Sequence, residues 1–363
     1  MEEPIKPKLW THLWRWVVKH RIPVLIAAGS VVLVAGGITT FLVLSYKPPV
    51  EEAKPAIVKV EDKPAPIPIK YYSPLTGKLV DSEAITQQAV TGVMIENSPE
   101  ARPQSGLKDS GVVFEAIAEG GITRFLALYQ EQKPQMVGPV RSVRIYYVDW
   151  LAAFNASIAH VGGSAEALAE VQNGNYRNID QSYNANYYWR SSDRYAPHNV
   201  YTSFEKLDAL NAANGYKTSE YTGFSRIDGK PADVLTAISI NITMSSFLFN
   251  STYAYDGATN TYARSQAGEP HLDRESGQIT PSVVIAMRVD ESTLSDGHQR
   301  IDTIGSGSAT IFQNGTAVNA TWTKASKTGQ IKFTDIVGVD VPLARGQTWI
   351  VAVPNGGGDV SWN

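Results

Sequence analysis

The chain has 363 residues, of which 43% are hydrophobic and 18% charged, a composition that is ordinary for a folded protein of about two domains. Its formal net charge of -3 argues against nucleic-acid binding, which requires a concentrated basic surface. The chain contains no cysteine, which excludes disulfides, thiolate metal ligands, a cysteine nucleophile and a lipid attached to an N-terminal cysteine.

An uncharged run from Ile22 to Leu44 is the first distinctive element of the chain. A helix of this length, rising about 1.5 Å per residue, crosses a hydrocarbon core of roughly 30 Å. A cleaved signal peptide is the alternative, but the apolar run is too long for one and no small-x-small site follows it. We therefore predict a transmembrane helix at 22–46.

The residues before this helix are basic and rich in tryptophan, with Trp10, Trp14 and Trp16 close together. Lys and Arg flanks stay in the cytoplasm, and tryptophan rings favour the headgroup level of a bilayer. We therefore predict a cytoplasmic and interfacial segment at 1–21. This orientation places the rest of the chain outside the cell membrane, as a single-pass protein with a cytoplasmic N-terminus.

A spacer and two folded regions are expected beyond the membrane. Residues 47–70 are rich in Pro, Glu, Lys and Ala, which predicts a semi-rigid extended linker. Apolar strand-like runs alternate with amphipathic segments over 71–223, which predicts an α/β or α+β domain. Residues 224–363 carry closely spaced short strands and turn signals, and are predicted to form a mostly-β domain.

The predicted elements of the first region are three buried strands and three helices. Strands are predicted at 89–96, 111–118 and 123–130, and helices at 149–157, 164–171 and 203–213. In the second region, Asn314-Gly315 is a strong signal for a tight hairpin turn, and Asp256-Gly257 is a second one. Strands are predicted on both sides of each turn and at 281–288 and 348–353.

Arginines and glycines concentrate at the predicted strand ends of the first region. Guanidinium groups bind phosphate or carboxylate bidentately, and glycines let backbone N–H groups approach an anion. The predicted anion-binding residues are Arg102, Arg124, Arg141 and Arg144. The predicted supporting residues are Glu96, Asn97, Asp109, Glu115, Glu119, His160, His198 and Asn199. The competing interpretation is that these side chains only form structural ion pairs.

Other types of site have weaker signals. The sequence holds no HExxH, GxSxG or Walker A motif, so no metal or cofactor is predicted. The polar residues around Arg264 and His271 in the second region are interpreted as turns. Trp322 and Trp349 are interpreted as core residues, with an exposed aromatic groove for a glycan or peptide as the alternative.

Several of these segments resemble the YerB-like lipoprotein family of bacterial extracytoplasmic proteins. The motifs in the first region are VMIEN (93–97), ARPQSGL (101–107), VFEAIAEGGITRFLALY (113–129), GPVRSVR (138–144), HVGGS (160–164) and PHNVY (197–201). Those in the second are YDGATNTYAR (255–264), GEPHLD (268–273) and GQTWIVAVP (346–354). The resemblance implies a two-domain extracytoplasmic protein. It departs at the N-terminus, where a transmembrane helix replaces the lipidated cysteine.

Residues 93–144 are also similar, more faintly, to the LytR-CpsA-Psr phosphotransferases, which act on polyprenyl-pyrophosphate-linked glycopolymers. That likeness implies that Arg102, Arg141 and Arg144 contact the pyrophosphate and that Asp109 binds Mg²⁺. Ser142 stands where those enzymes carry an Asp, which weakens the comparison.

Two functional hypotheses follow. In the first, an envelope protein binds an anionic cell-wall component or a protein partner through a cleft rich in arginine. In the second, the chain is a phosphotransferase-like enzyme. A transfer enzyme should gather the four arginines around one deep pocket with a carboxylate, whereas a binding protein could hold them in surface ion pairs.

Overall fold

A computed structural model describes residues 8–47 and 69–363, and the predicted spacer lies almost wholly outside them. The chain divides into two units, the first ending at Ile67 and the second running from Pro68 to Asn363. The described part of the first unit consists of helices α1 (Lys8–Lys19) and α2 (Arg21–Ser45). Helix α2 is 25 residues long and is long and apolar enough to cross a membrane, as its sequence predicts.

The second unit is built mainly from strands. Those before residue 230 are β1 (Tyr71–Tyr72), β2 (Leu79–Val80), β3 (Thr91–Glu96), β4 (Val112–Ile117), β5 (Thr123–Tyr129), β6 (Ser157–Ala159), β7 (Arg177–Asn178), β8 (Trp189–Arg190), β9 (Val200–Tyr201) and β10 (Arg226–Ile227). Helices α3 (Glu83–Thr86), α4 (Ile145–Ala152), α5 (Ala165–Val171) and α6 (Phe204–Ala213) lie among them. Short 3₁₀ turns cover Pro99–Ala101, Glu119–Gly121 and Ala185–Tyr187.

The rest of the second unit is almost entirely strand, as predicted. Its first strands are β11 (Ser239–Thr243), β12 (Ser251–Asp256), β13 (Thr261–Gln266), β14 (Glu269–Pro270), β15 (Leu272–Asp273), β16 (Gly277–Gln278) and β17 (Val283–Val289). They are followed by β18 (Glu291–Thr293), β19 (Gln299–Ile301), β20 (Gly305–Gln313), β21 (Thr316–Lys324), β22 (Lys332–Thr334), β23 (Leu343–Ala344), β24 (Thr348–Pro354) and β25 (Asp359–Trp362). A 3₁₀ turn covers Phe247–Phe249.

One sheet joins the two sequence regions. Within residues 69–363, ten strands pair in the order β22-β21-β20-β17-β24-β4-β5-β3-β6-β7. The junction is the parallel pair of β24 with β4, which sets Trp349 opposite Val113. Five further strands form a second sheet in the order β14-β13-β12-β11-β25. The late strand β24 therefore completes a sheet that β4 begins almost 240 residues earlier in the chain.

The ten-stranded sheet is covered on both faces, which explains why its central strands are continuous apolar runs rather than alternating ones. Phe114 faces one core together with Trp150 of α4. Val113 faces the other core, with Leu207 of α6 and Tyr253 of the five-stranded sheet. Trp322 and Trp349 are buried in these cores, so they do not form the exposed aromatic groove that was the alternative interpretation.

Local signals in the sequence match the structure where they depend on short-range chemistry. Asn314 and Gly315 both have positive φ, at 58° and 76°, and connect β20 to β21 as the tight turn requires. Ser164 and Ser203 cap α5 and α6 by accepting a backbone N–H. The helix predicted at 149–157 is wrong in its bounds: α4 covers Ile145–Ala152, and Ser157 begins β6.

Candidate anion-binding site

Strand pairing brings the predicted polar residues to one end of the ten-stranded sheet. In the antiparallel pair of β3 and β5, Glu96 lies opposite Arg124. In the pair of β4 and β5, Ile117 lies opposite Thr123. The last residues of β3 and β4 and the first residues of β5 therefore meet at the same edge, together with the turn that carries Glu119.

Glu96 is the centre of the first part of this site. Its side chain is only 5% exposed, and its Oε1 lies 2.9 Å from Nδ1 of His198 and 3.2 Å from Nε of Arg141. The hydroxyl of Ser98 donates to the same oxygen at 3.1 Å. The other oxygen, Oε2, is buried and has no hydrogen-bond partner in the described structure. Glu96 thus holds the imidazole of His198 and the guanidinium of Arg141, and its Oε2 still has unused acceptor capacity.

His198 and Arg141 reach from this buried carboxylate toward solvent, with side chains 23% and 27% exposed. The imidazole meets Glu96 through Nδ1, so Nε2 lies on the opposite edge of the ring. A carboxylate that fixes one ring nitrogen sets the orientation of the other. The arrangement therefore presents a histidine edge and a guanidinium side by side.

Glu119 is the centre of the second part. Arg144 donates to it through both Nε and Nη2, the latter 2.6 Å from Oε2, and Nη2 of Arg124 lies 3.5 Å from the same oxygen. Burial lowers the pKa of Arg124, and the charge of Arg144 adds to this effect. Burial alone would raise the pKa of Glu119, but the two arginines lower it overall.

Arg102 lies next to Glu96 along the same edge but is bound differently. Its guanidinium donates to Oδ1 and the carbonyl oxygen of Asn97, at 3.2 and 2.8 Å, and to the carbonyl oxygen of Leu248 at 2.8 Å. All three acceptors are neutral. Burial, with a smaller effect of the charge on Arg264, lowers the pKa of Arg102 to about 10, so it is charged at neutral pH.

These residues form what we call the open cluster: Glu96, Arg102, Glu119, Arg124, Arg141, Arg144 and His198. It contains four guanidinium groups but only two carboxylates, and His198 adds a further positive charge when it is protonated. A local excess of positive charge attracts anions, and guanidinium groups bind phosphate or carboxylate through paired N–H bonds. The open cluster is therefore suited to an anionic ligand.

A second polar group, the closed network, lies between the two sheets and is fully buried. Glu115 of β4 accepts bonds from Nη2 of Arg264 at 2.9 Å and from Nε1 of Trp349 at 2.8 Å. Arg264 also donates to Nδ1 of His271, whose Nε2 lies 2.9 Å from Oε1 of Gln104. The network joins β4 of the first region to β13 and β24 of the second.

Titration behaviour fits a permanent structural role for the closed network. Burial, together with the charges of Arg264 and Arg102, lowers the pKa of His271 well below its ordinary value, so this imidazole is neutral. Burial is the largest single effect on Arg264 and acts to lower its pKa, but the charge of Glu115, the contact with Tyr253 and the hydrogen bonds to both together raise that pKa. The Arg264 guanidinium therefore stays charged beside Glu115.

Five of the predicted supporting residues lie outside the open cluster. Asn97 accepts a bond from Arg102, and Glu115 belongs to the closed network. His160 is fully buried, with Nδ1 2.8 Å from the carbonyl oxygen of Gly162 and Nε2 2.9 Å from Oδ1 of Asn178. Asn199 accepts a bond from Arg190 and donates to the carbonyl oxygens of Ser191 and Arg194. Both are tied into the local fold.

Asp109 is the last of these five, and its position corrects the arrangement that the phosphotransferase likeness implies. It precedes Val112, the first residue of β4, whereas the arginines meet beyond the other end of that strand. Asp109 instead lines a polar pocket of about 310 Å³ with Lys78 and Lys108. It therefore does not share a site with the arginines. Across residues 8–47 and 69–363, no three His, Asp or Glu side chains converge as metal ligands would.

Gln104, Arg264 and His271 belong to the closed network, and Ser98 donates to Glu96 of the open cluster, but none of the four was among the predicted site residues. Arg264 and His271 were interpreted as turn residues, although their position is set by β13 and by the segment that follows it. The only available signal was the unusual polarity of YAR (262–264) and EPHLD (269–273) between apolar strands. Their partner Glu115 is 149 residues away along the chain, which no local pattern reveals.

Comparison with known proteins assigns the chain to a protein family. The model of the N-terminal domain of a protein family of unknown function, DUF3048, matches residues 75–217, and the model of its C-terminal domain matches residues 240–350. The chain therefore belongs to this YerB-like, DUF3048 family, as the sequence motifs predict.

Two comparisons with a Bacillus subtilis relative support the assignment. The putative lipoprotein YerB is 33% identical over 293 residues, which cover 79% of this chain and 87% of the relative. The crystal structure of the YerB protein superimposes with a TM-score of 0.72 at 30% identity, covering 80% of this chain and 100% of that one. Because the family description assigns no activity, the function has to be argued from the site.

Proposed function

We propose that this protein is a membrane-anchored, extracytoplasmic binding protein that holds an anionic component of the cell wall at the open cluster. The observation that carries the proposal is the charge of that cluster, in which four guanidinium groups face two carboxylates. Arg141 and His198 supply the ligand-facing donors, and Glu96 holds both in place.

The location of the protein is part of the proposal. Helix α2 has the length and composition of a single membrane span, and a lipoprotein is among the relatives of this chain. The basic residues before α2 favour a cytoplasmic N-terminus, which would put the second unit on the outer side. Phosphate-bearing polymers of the cell wall are the anions that such a unit would meet there.

The geometry favours binding over group transfer. Arg144 is engaged bidentately by Glu119, and Arg124 lies beside the same carboxylate. One carboxylate therefore already holds both of these arginines within the protein, whereas an enzyme needs preorganised charge aimed at the reacting phosphate. Asp109 lies at the other end of β4 and offers no metal to that site.

The test is binding of inorganic polyphosphate to the full chain in nanodiscs of zwitterionic lipid. Arg141→Gln removes one ligand-facing charge without placing a bulky group beside Glu96, and we expect it to weaken binding at least about tenfold. Lys332→Ala removes an exposed cation from the edge strand β22 and is the matched control.

Binding should also fall as salt increases, because contacts between guanidinium groups and phosphate are screened. Equal affinity of the wild type and Arg141→Gln, with Lys332→Ala also unchanged, would exclude the open cluster as the site. Preference for an acidic peptide over polyphosphate would point instead to a protein partner.

A further inference from the structure

Two strongly exposed aromatic side chains belong to segments that are hydrogen-bonded to residues of the open cluster. Tyr195 is 92% exposed and Phe247 is 66% exposed, and neither contributes to the core. Tyr195 comes from the first sequence region and Phe247 from the second. Large exposed aromatic residues beside a polar site are features that a folded protein does not need for its stability.

Hydrogen bonds connect both residues to one short loop. Arg194, the neighbour of Tyr195, donates to the carbonyl oxygens of Glu100 and Pro103 at 3.1 and 2.6 Å. Arg102 of the same loop donates to the carbonyl oxygen of Leu248, the neighbour of Phe247. The segments that carry the two aromatic residues are therefore both bonded to a loop that itself contributes Arg102 to the open cluster.

Tyr195 is also connected directly to the centre of the cluster. Its carbonyl oxygen accepts a bond of 3.0 Å from the backbone N–H of His198, the residue that contacts Glu96. On the other side, the guanidinium of Arg102 lies 5.3 Å from the centroid of the Phe249 ring, which fixes the turn that carries Phe247. Arg102 and His198 of the open cluster thus each contact a segment that carries one of the two exposed rings.

We propose that the open cluster, Tyr195 and Phe247 form one binding site for a phosphate-bearing glycan. This inference rests on the proposed function and names the class of its ligand. The arginines and His198 take the phosphate. The two rings pack against neighbouring sugars, because one face of a pyranose ring consists of C–H groups that pack on an aromatic face. Neither a free phosphate nor a neutral glycan would use both parts of the site.

The experiment measures the affinity of the full chain in zwitterionic nanodiscs for three probes: inorganic polyphosphate, an unmodified glucan, and the same glucan carrying phosphate monoesters. We expect the phosphorylated glucan to bind about tenfold more tightly than polyphosphate at equal phosphate concentration. The double variant Tyr195→Ala, Phe247→Ala should lose that tenfold advantage and bind polyphosphate as the wild type does.

Controls separate this inference from the proposal on which it rests. Tyr183→Ala removes another exposed ring, 74% exposed, and should change none of the affinities. Arg141→Gln should weaken binding of both phosphate-bearing probes. Should the double aromatic variant retain the tenfold advantage, the glycan part of the site is overturned while anion binding stands. Should the wild type bind neither phosphate-bearing probe, both proposals fail.

Discussion

The open cluster and the closed network use the same chemistry in opposite ways. Each contains an arginine bound to a glutamate at the β3–β5 part of the ten-stranded sheet. In the closed network, Arg264 and Glu115 are fully buried and every charged group has partners within the protein. In the open cluster, Arg141 and His198 are partly exposed, and Oε2 of Glu96 has no hydrogen-bond partner in the described structure.

The difference teaches which arginine contacts indicate function. A buried and fully bonded pair fixes how two parts of a fold meet, and it gains little from any ligand. A partly exposed set with surplus charge is costly unless solvent or a ligand completes it. The open cluster and the closed network both contain a buried carboxylate. Their roles are distinguished by whether each charged group has partners within the protein and by how exposed the side chains are.

The largest expected effect tests the structural side of this comparison. Arg264→Ala leaves Glu115 buried without its cation, which should lower the free energy of unfolding by about 3–5 kcal/mol. Chemical denaturation of the detergent-solubilised chain measures it, with Lys332→Ala as a control that should stay within about 0.5 kcal/mol. A loss below about 1 kcal/mol for Arg264→Ala would mean that the closed network is not structural.

A double substitution sharpens the same test. Replacing Glu115 and Arg264 together by Leu and Met removes both buried charges and keeps similar volume. This variant should be more stable than Arg264→Ala alone, because no unpaired charge remains. Equal instability of the two variants would assign the loss to packing around Trp349 rather than to the ion pair.

An intermediate effect is expected in the second part of the open cluster. Arg144→Ala removes a bidentate partner of Glu119, whose side chain is one-third exposed. Solvent can replace part of this contact, so we expect a loss of about 1–2 kcal/mol in the free energy of unfolding. A loss as large as that of Arg264→Ala would show that the two clusters do not differ in structural role.

The smallest effect concerns the β18–β19 hairpin, whose His298 lies 3.6 Å from Glu119. Burial raises the pKa of Glu291 to about 7, so the folded state holds this proton more tightly than the unfolded one. The contribution of Glu291 to the free energy of unfolding is fully present below the ordinary pKa of a carboxyl group. It is lost as the pH rises through the folded-state pKa of about 7.

Glutamine cannot ionise, so the variant Glu291→Gln should not show this loss of stability as the pH rises. The measurement is the difference in melting temperature between the wild type and the variant at pH 5 and at pH 8, because the effects of all groups that the two proteins share cancel in this difference. The difference should shift in favour of the variant at pH 8. A difference that does not change with pH would show that Glu291 is solvated.

The sequence predicts the fold well where the governing interactions are local. Helix α2 follows from its uninterrupted apolar run, and the β20–β21 hairpin follows from Asn314-Gly315, since only such residues take positive φ readily. The start of α4 was misplaced because YYVDW continues the apolar run of the preceding residues and no capping residue stands before it. Arg144 occupies the cap position without a side-chain bond.

Long-range pairing explains what the sequence does not reveal about the site. The sequence marks the open-cluster residues as polar residues near strand ends: the four arginines, Glu96, Glu119 and His198. The β3–β5 register then brings these strand ends together, with Glu96 opposite Arg124. Two other features depend on contacts between residues roughly 150–240 positions apart in the chain. They are the pairing of β24 with the sheet of the first region and the bond between Arg264 and Glu115. Asp109 shows the converse, since closeness in sequence to Arg102 did not put it in the same site.

The most direct test of the central claim uses purified bacterial cell walls, intact or stripped of phosphate-bearing polymers with hydrofluoric acid. We expect the full chain in zwitterionic nanodiscs to cosediment with intact walls, and to lose this association with stripped walls or when Arg141 is replaced by Gln. Equal sedimentation with intact and stripped walls, or equal sedimentation of the wild type and Arg141→Gln, would contradict an anion-binding role for the open cluster.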